Sequence, residues 1–105
     1  PGEEDEAWAE AARRELLEET GYNAKRMVHL ATGPISAGFG TETLSFYQAK
    51  NLKKVGDGGG VEHENITVHE VALNRVPAWL RKQARAGKLV DPKVYAGLYF
   101  AQPKK

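Results

Sequence analysis

From Glu6 to Thr20 the chain reads EAWAEAARRELLEET, a run of strong helix formers with no interior Gly or Pro, followed by Gly21 where a left-handed C-cap belongs. This predicts a first helix over 6–20. The stretches RMVHLAT (26–32) and TETLSFYQA (41–49) carry β-branched and aromatic residues in partial alternation and flank the turn-rich GPISAGFG. They predict two strands paired as an antiparallel ribbon. GDGGG (56–60) reads as the most flexible stretch, ending a long connection that leads into a further strand, ITVHEVAL (66–73). Pro77 suits a first helical position and Gly87 a stop, which predicts a second helix over 77–86. Asp91 and Pro92 read as the cap and first residue of a third helix running through KVYAGLYFA. The order is helix, strands, helix, helix: an α/β chain with no internal repeat.

The length, 105 residues, suits a single domain. Apolar residues make up 41% and charged residues 28%, the composition of an ordinary globular chain. Fifteen basic residues against fourteen acidic ones leave a net charge of +1, so charge makes no general case for nucleic-acid or membrane binding. With no cysteine, disulfides, thiolate metal sites and a cysteine nucleophile are excluded. No apolar run approaches the roughly 20 residues of a membrane helix.

Charge changes the picture at one place. Glu15, Glu18 and Glu19 are three and four residues apart, so on a helix their carboxylates share an arc of roughly 100°. Such a cluster can be a solvated face whose repulsion Arg13 and Arg14 relieve. Equally, converging carboxylate oxygens suit Mg²⁺ or Mn²⁺, and a dication beside a phosphate chain gives phosphoanhydride hydrolysis as the natural chemistry. Composition and spacing leave both readings open.

The residues from Arg14 to Tyr22, RELLEETGY, with Glu6 eight positions before Arg14, resemble the Nudix box. That family's pattern is Gly, five residues, Glu, seven residues, then Arg-Glu-aliphatic-x-Glu-Glu-x-Gly and an aliphatic or aromatic residue. Glu6, Arg14, Glu15, Leu16, Glu18, Glu19, Gly21 and Tyr22 match it in type and spacing. The resemblance implies a Nudix-type α/β/α sandwich around a mixed β-sheet. It also implies Glu15, Glu18 and Glu19 as metal ligands for Mg²⁺ or Mn²⁺, Glu18 doubling as a catalytic residue, and Arg14 orienting a glutamate of the cluster. Glu6 would support the start of the helix. The first glycine of the box would fall just before Pro1, and the chain starts without Met, so the N-terminal strands of such a domain are expected to be missing.

Three further stretches are similar to the ADP-ribose pyrophosphatase branch of that family: SAGFGTE (36–42), VEHENITVHEV (61–71) and AGKLVDPKVYAGL (86–98). By that resemblance Glu62 is the general base on a mobile loop, Glu64 an additional metal ligand and Glu42 a substrate contact. Ala37 stands where the branch has proline in the first of these loops. Phe39 and Tyr47 are candidate base-stacking neighbours, whereas Trp8, Phe46, Trp79, Tyr95 and Phe100 are assigned to core or subunit contacts. His29, His63 and His69 lack the spacing of a histidine metal site. The expected activity is hydrolysis of ADP-ribose, or a related nucleoside diphosphate sugar, to AMP and a sugar phosphate, by a cytoplasmic homodimer. Alternatives are a nucleoside triphosphate or RNA 5′ end as substrate, or a nucleotide-binding scaffold subunit without turnover.

Overall fold

The computed structural model describes residues 3–35, 42–61 and 64–102. The chain divides into two compact units, residues 1–68 and 69–105. In the first unit, helix α1 (Glu3–Thr20) leads into strand β1 (Tyr22–Pro34), which pairs antiparallel with strand β2 (Thr43–Lys54). The helix starts one turn before the expected position and ends where expected.

Gly21 makes the turn out of α1. Its φ of +80° lies in the left-handed region, and its N–H donates to the Leu17 carbonyl at 2.9 Å. Thr20 supports the same turn, donating its hydroxyl to the Leu16 carbonyl at 2.6 Å and accepting from the Tyr22 N–H at 3.2 Å. The ribbon therefore leaves the helix end at a fixed angle and folds back along it.

One irregularity decides which side chains face α1. The register runs His29↔Tyr47 and then Ala31↔Phe46, leaving Leu30 as an extra residue in β1. In an unbroken strand His29 and Thr32 would point to opposite faces; the bulge restores them to one face. Consequently the His29 Nε2 and Thr32 Oγ1 atoms meet at 2.6 Å, and Thr32 in turn meets the Ser45 hydroxyl at 2.7 Å. Met27, His29 and Thr32 of β1 thus share a face with Ala49, Tyr47 and Ser45 of β2. At the far end of the ribbon the Ile35 N–H donates to the Glu42 carbonyl at 3.2 Å.

The strand expected over ITVHEVAL does not form: residues 66–72 have no ladder partner and Leu73–Arg75 is a short 3-10 turn. β-Branched side chains favour an extended chain but make a strand only with a ladder partner, and among the described residues β1 and β2 pair only with each other. The antiparallel pair with its helices gives the expected mixed α/β character.

In the second unit, helix α2 (Val76–Arg85) carries Pro77 in its first turn, and helix α3 (Pro92–Ala101) begins after Asp91. Asp91 caps α3 by accepting from the Lys93 N–H at 2.9 Å, and Lys93 Nζ lies 2.8 Å from the other carboxylate oxygen. These contacts hold the Asp91 carboxyl below the usual carboxylate range. His69 packs on Trp79 with ring centroids 5.1 Å apart, and Leu80 is buried. Among the described residues, Ala24 and Leu80 are the buried apolar side chains, and Trp8, Tyr95 and Phe100, assigned to core or subunit contacts, are exposed. None of the described helices is long and apolar enough to cross a membrane.

Candidate active site on the acidic face of the first helix

Glu15 and Glu19 stand one turn apart on α1 and line the same cleft, of about 280 Å³, against the face of the ribbon that presents Met27, Ser45 and Tyr47. Glu19 is half-buried and Glu15 exposed. Glu18 is exposed beside them on the helix and does not line that cleft. Of the three box glutamates, the structure therefore brings two to one place. Among the described residues no group of three or more acidic or histidine side chains converges. Two carboxylates are nonetheless a fitting donor set for Mg²⁺, a hard cation that keeps several waters and takes further oxygens from substrate phosphates.

The helix end that bears these residues is tied down by the glycine-rich stretch expected to be flexible. The Val55 and Gly56 N–H groups donate to the Gly21 carbonyl at 2.8 and 3.2 Å; those of Gly59 and Gly60 donate to the Glu19 and Glu18 carbonyls at 2.8 and 3.0 Å. Four backbone donors thus occupy acceptors that a helix terminus would otherwise leave to water. Residues 61–64 follow directly: the Glu64 N–H donates to the Val61 carbonyl at 2.9 Å, and Glu64 Oε1 accepts from the Val61 N–H at 2.9 Å. Glu64, the expected extra ligand, is exposed and closes this turn with its own carboxylate.

Arg13, the neighbour of the box arginine, holds Glu10, a glutamate outside the box cluster. Arg13 forks onto both carboxylate oxygens of Glu10, with Nε to Oε2 at 2.7 Å and a second contact from Nη2 to Oε1, and reaches the Asn23 side-chain oxygen with Nη1 at 2.5 Å. It thereby links α1 to the start of β1 and draws the Glu10 carboxyl below its ordinary value. Arg14 is exposed. Glu42 sits at the ribbon end away from Gly21, while Phe39 and Glu62 lie outside the described residues, as does His63.

A second cavity, of about 410 Å³, adjoins the N-terminal half of α1 and is lined by Glu6, Trp8, Met27, His29, Thr32 and Tyr47. His29 meets Tyr47 edge-on, with centroids 5.5 Å apart. Met27 and Tyr47 line both cavities. Sequence reasoning assigned Trp8 to core or subunit contacts and did not connect it with Tyr47. The alternation of 45, 47 and 49 could have paired them, but the bulge at Leu30 hides the matching face of β1.

Comparison with known proteins agrees with the box. A protein described as a GDP-mannose pyrophosphatase from Yersinia enterocolitica is 35% identical over 95 residues, covering 89% of this chain and 48% of its own length. One of the same description from Citrobacter koseri is 36% identical over 81 residues, 74% of this chain and 42% of that protein. A methanol dehydrogenase activator from Bacillus methanolicus is 30% identical over 92 residues, 87% of this chain and 48% of its own. The chain spans about half the length of these relatives. The NUDIX domain model matches residues 2–88, a span that takes in the acidic helix, the ribbon and the glycine clasp, and the chain belongs to the Nudix family.

Proposed function

We propose that this chain carries the metal- and phosphate-binding part of a Nudix pyrophosphohydrolase acting on a nucleoside diphosphate sugar, with ADP-ribose and, from the relatives' descriptions, GDP-mannose as the substrates to try first. The observation that carries this reading is the shared lining of two neighbouring cavities: Met27 and Tyr47 border both the one lined by Glu15 and Glu19 and the one lined by Trp8 and His29. A nucleoside diphosphate sugar has the complementary order, a planar apolar base followed by a pyrophosphate. Aromatic faces suit the base, and carboxylates on the neighbouring cavity suit a dication on the phosphates.

Glu15 and Glu19 would hold Mg²⁺ or Mn²⁺, with Glu18 and Glu64 as further oxygen donors near the same helix end. When bound, the dication offsets phosphate charge and makes water a stronger acid. Glu62 then takes a proton from the attacking water. The water oxygen bonds to one phosphorus, the bridging P–O bond breaks, and the departing phosphate keeps the bridging oxygen. A nucleoside monophosphate and a sugar phosphate result. Glu42 and Phe39 are assigned to the substrate beyond the phosphates, and the working unit is taken to be a cytoplasmic homodimer.

A second reading, nucleotide binding without turnover, is favoured by the separation of Glu18 and Glu64 from the cleft of Glu15 and Glu19. One experiment separates the two: Mg²⁺-dependent release of AMP or GMP from ADP-ribose and GDP-mannose by the wild type and by Glu19→Gln. Release by the wild type that is lost in the variant supports hydrolysis. Retained nucleotide binding with no release from any substrate, including ATP and 5′-triphosphate RNA, supports the scaffold.

A further inference from the structure

Residues 56–60 do more than end the helix. The Gly60 and Gly59 N–H groups reach the carbonyls of Glu18 and Glu19, the two residues at the heart of the acidic motif, and the very next residues form the turn closed by Glu64. The acidic loop and the acidic helix are therefore joined through a few backbone hydrogen bonds, with no side chain intervening.

Two positions make this approach possible. At Gly58, φ is +72°, and a Cβ would stand 2.5 Å from the Thr20 carbonyl carbon and 2.6 Å from the Glu19 oxygen. At Gly60, φ is +81°, and a Cβ would meet Glu64 Oε1 and the Ile66 Cδ1 atom, each at 2.8 Å. Both collisions fall under 3 Å, so something must move; at Gly58 the obstacle is helix backbone, at Gly60 the side chain of Glu64 itself. Between them Gly59, with φ of +99°, faces open space. The same left-handed strain thus occurs at all three positions, while steric contact occurs at two.

We infer that Gly58 and Gly60 are positioning residues: they let the 59–60 backbone cap α1 at Glu18 and Glu19, and so hold Val61 and Glu64 beside the helix end bearing Glu15 and Glu19. The catalytic part of this inference rests on the pyrophosphohydrolase reading. A cap serving the helix alone would tolerate any rearrangement of Glu64. A cap serving the loop would not, since displacing a reacting group by about 1 Å costs on the order of a hundredfold in rate.

The test compares Gly58→Ala, Gly60→Ala and Gly33→Ala in the full chain, with backbone amide exchange and nucleoside diphosphate sugar hydrolysis as readouts. Gly60→Ala is expected to lower kcat by about a hundredfold with KM unchanged, whereas Gly33→Ala, outside the cap and with nothing within 4 Å of its Cβ, keeps kcat near the wild-type value. In exchange, the wild-type Gly59 and Gly60 amides are protected, and Gly58→Ala releases them together with residues 61–66 while the middle of α1 stays protected. Equal kcat in Gly60→Ala and Gly33→Ala overturns the inference, as do wild-type Gly59 and Gly60 amides that exchange like those of an open loop. If the wild type hydrolyses nothing, the pyrophosphohydrolase reading fails, and the exchange pattern alone then supports or overturns the positioning role. If Gly58→Ala does not fold, Gly60→Ala, whose clash is with a side chain, decides.

Discussion

The two ends of α1 are held in different ways. At its C-terminal end, Leu17, Glu18 and Glu19 all give their carbonyls to backbone donors, and Gly21 and Gly58 exclude any side chain from the junction. Farther from that end side chains take over: Arg13, just past the helix midpoint, forks onto Glu10 and reaches Asn23, and in the N-terminal half Trp8, 47% exposed, borders an open cavity. Backbone contacts fix atoms more tightly than exposed side-chain pairs, whose geometry costs rotamer entropy to maintain. Positional definition is thus concentrated at the end where the proposed dication and pyrophosphate would need fixed oxygens. The looser end suits a group recognised by surface contact.

Substitutions at the two ends should separate these roles. The largest effect is expected from Glu19→Gln at the tight end. Removing a group that merely supports a metal ligand costs about 10- to 100-fold, so removing the ligand itself should eliminate Mg²⁺-dependent turnover beyond that range, as read in a steady-state assay. Next comes Gly21→Ala: its Cβ would lie 2.1 Å from the Gly56 carbonyl oxygen at a φ of +80°. Strain of this kind costs about 2 kcal/mol or more, roughly 10 °C in Tm for a domain of this size, whereas Gly33→Ala, which meets nothing within 4 Å, should leave Tm unchanged.

At the loose end, Trp8→Ala should raise KM for a nucleoside diphosphate sugar about 2- to 10-fold with little change in kcat, and Trp8→Phe should restore most of it. An equal loss in kcat would move Trp8 out of base recognition. The smallest effect is expected at the Glu10–Arg13 pair. Because Arg13 lowers the Glu10 carboxyl below its unfolded value, the pair's contribution is fully present above that unfolded value and is lost as pH falls through the folded one. Tm of the wild type should therefore exceed that of Glu10→Gln by a small margin at neutral pH, and the margin should close in acid.

Much of this arrangement was legible in the sequence because its signals are local. Uninterrupted helix formers ending at Gly21 specified α1, alternation specified the ribbon, and Asp91-Pro92 specified the start of α3, since caps and periodicity act over a few residues. The box glutamates were legible by their spacing, yet only Glu15 and Glu19 share a cleft, because the face each helical position meets depends on the partner strand. Ile66–Ala72 has strand-like side chains but pairs with neither strand of the described sheet, and a ladder partner is not a local property. The run GDGGG was misread for a related reason. Glycines permit flexibility and close approach alike, and only the carbonyls of Gly21, Glu18 and Glu19 opposite show which applies here. Arg13 and Arg14 are adjacent and alike, so the position of Asn23 across the turn, rather than residue type, distinguishes the one that clips helix to strand.

The central claim is that the tight end of α1 is a site for a dication and phosphate. The most direct measurement is Mn²⁺ binding to the full chain, followed by the paramagnetic signal of the free ion, for the wild type and for the double variant Glu15→Gln/Glu19→Gln. Saturable binding by the wild type that the double variant loses, and that a nucleoside diphosphate sugar strengthens, is the expected result. Equal binding by both proteins, or none by the wild type even with the nucleotide sugar present, would contradict it.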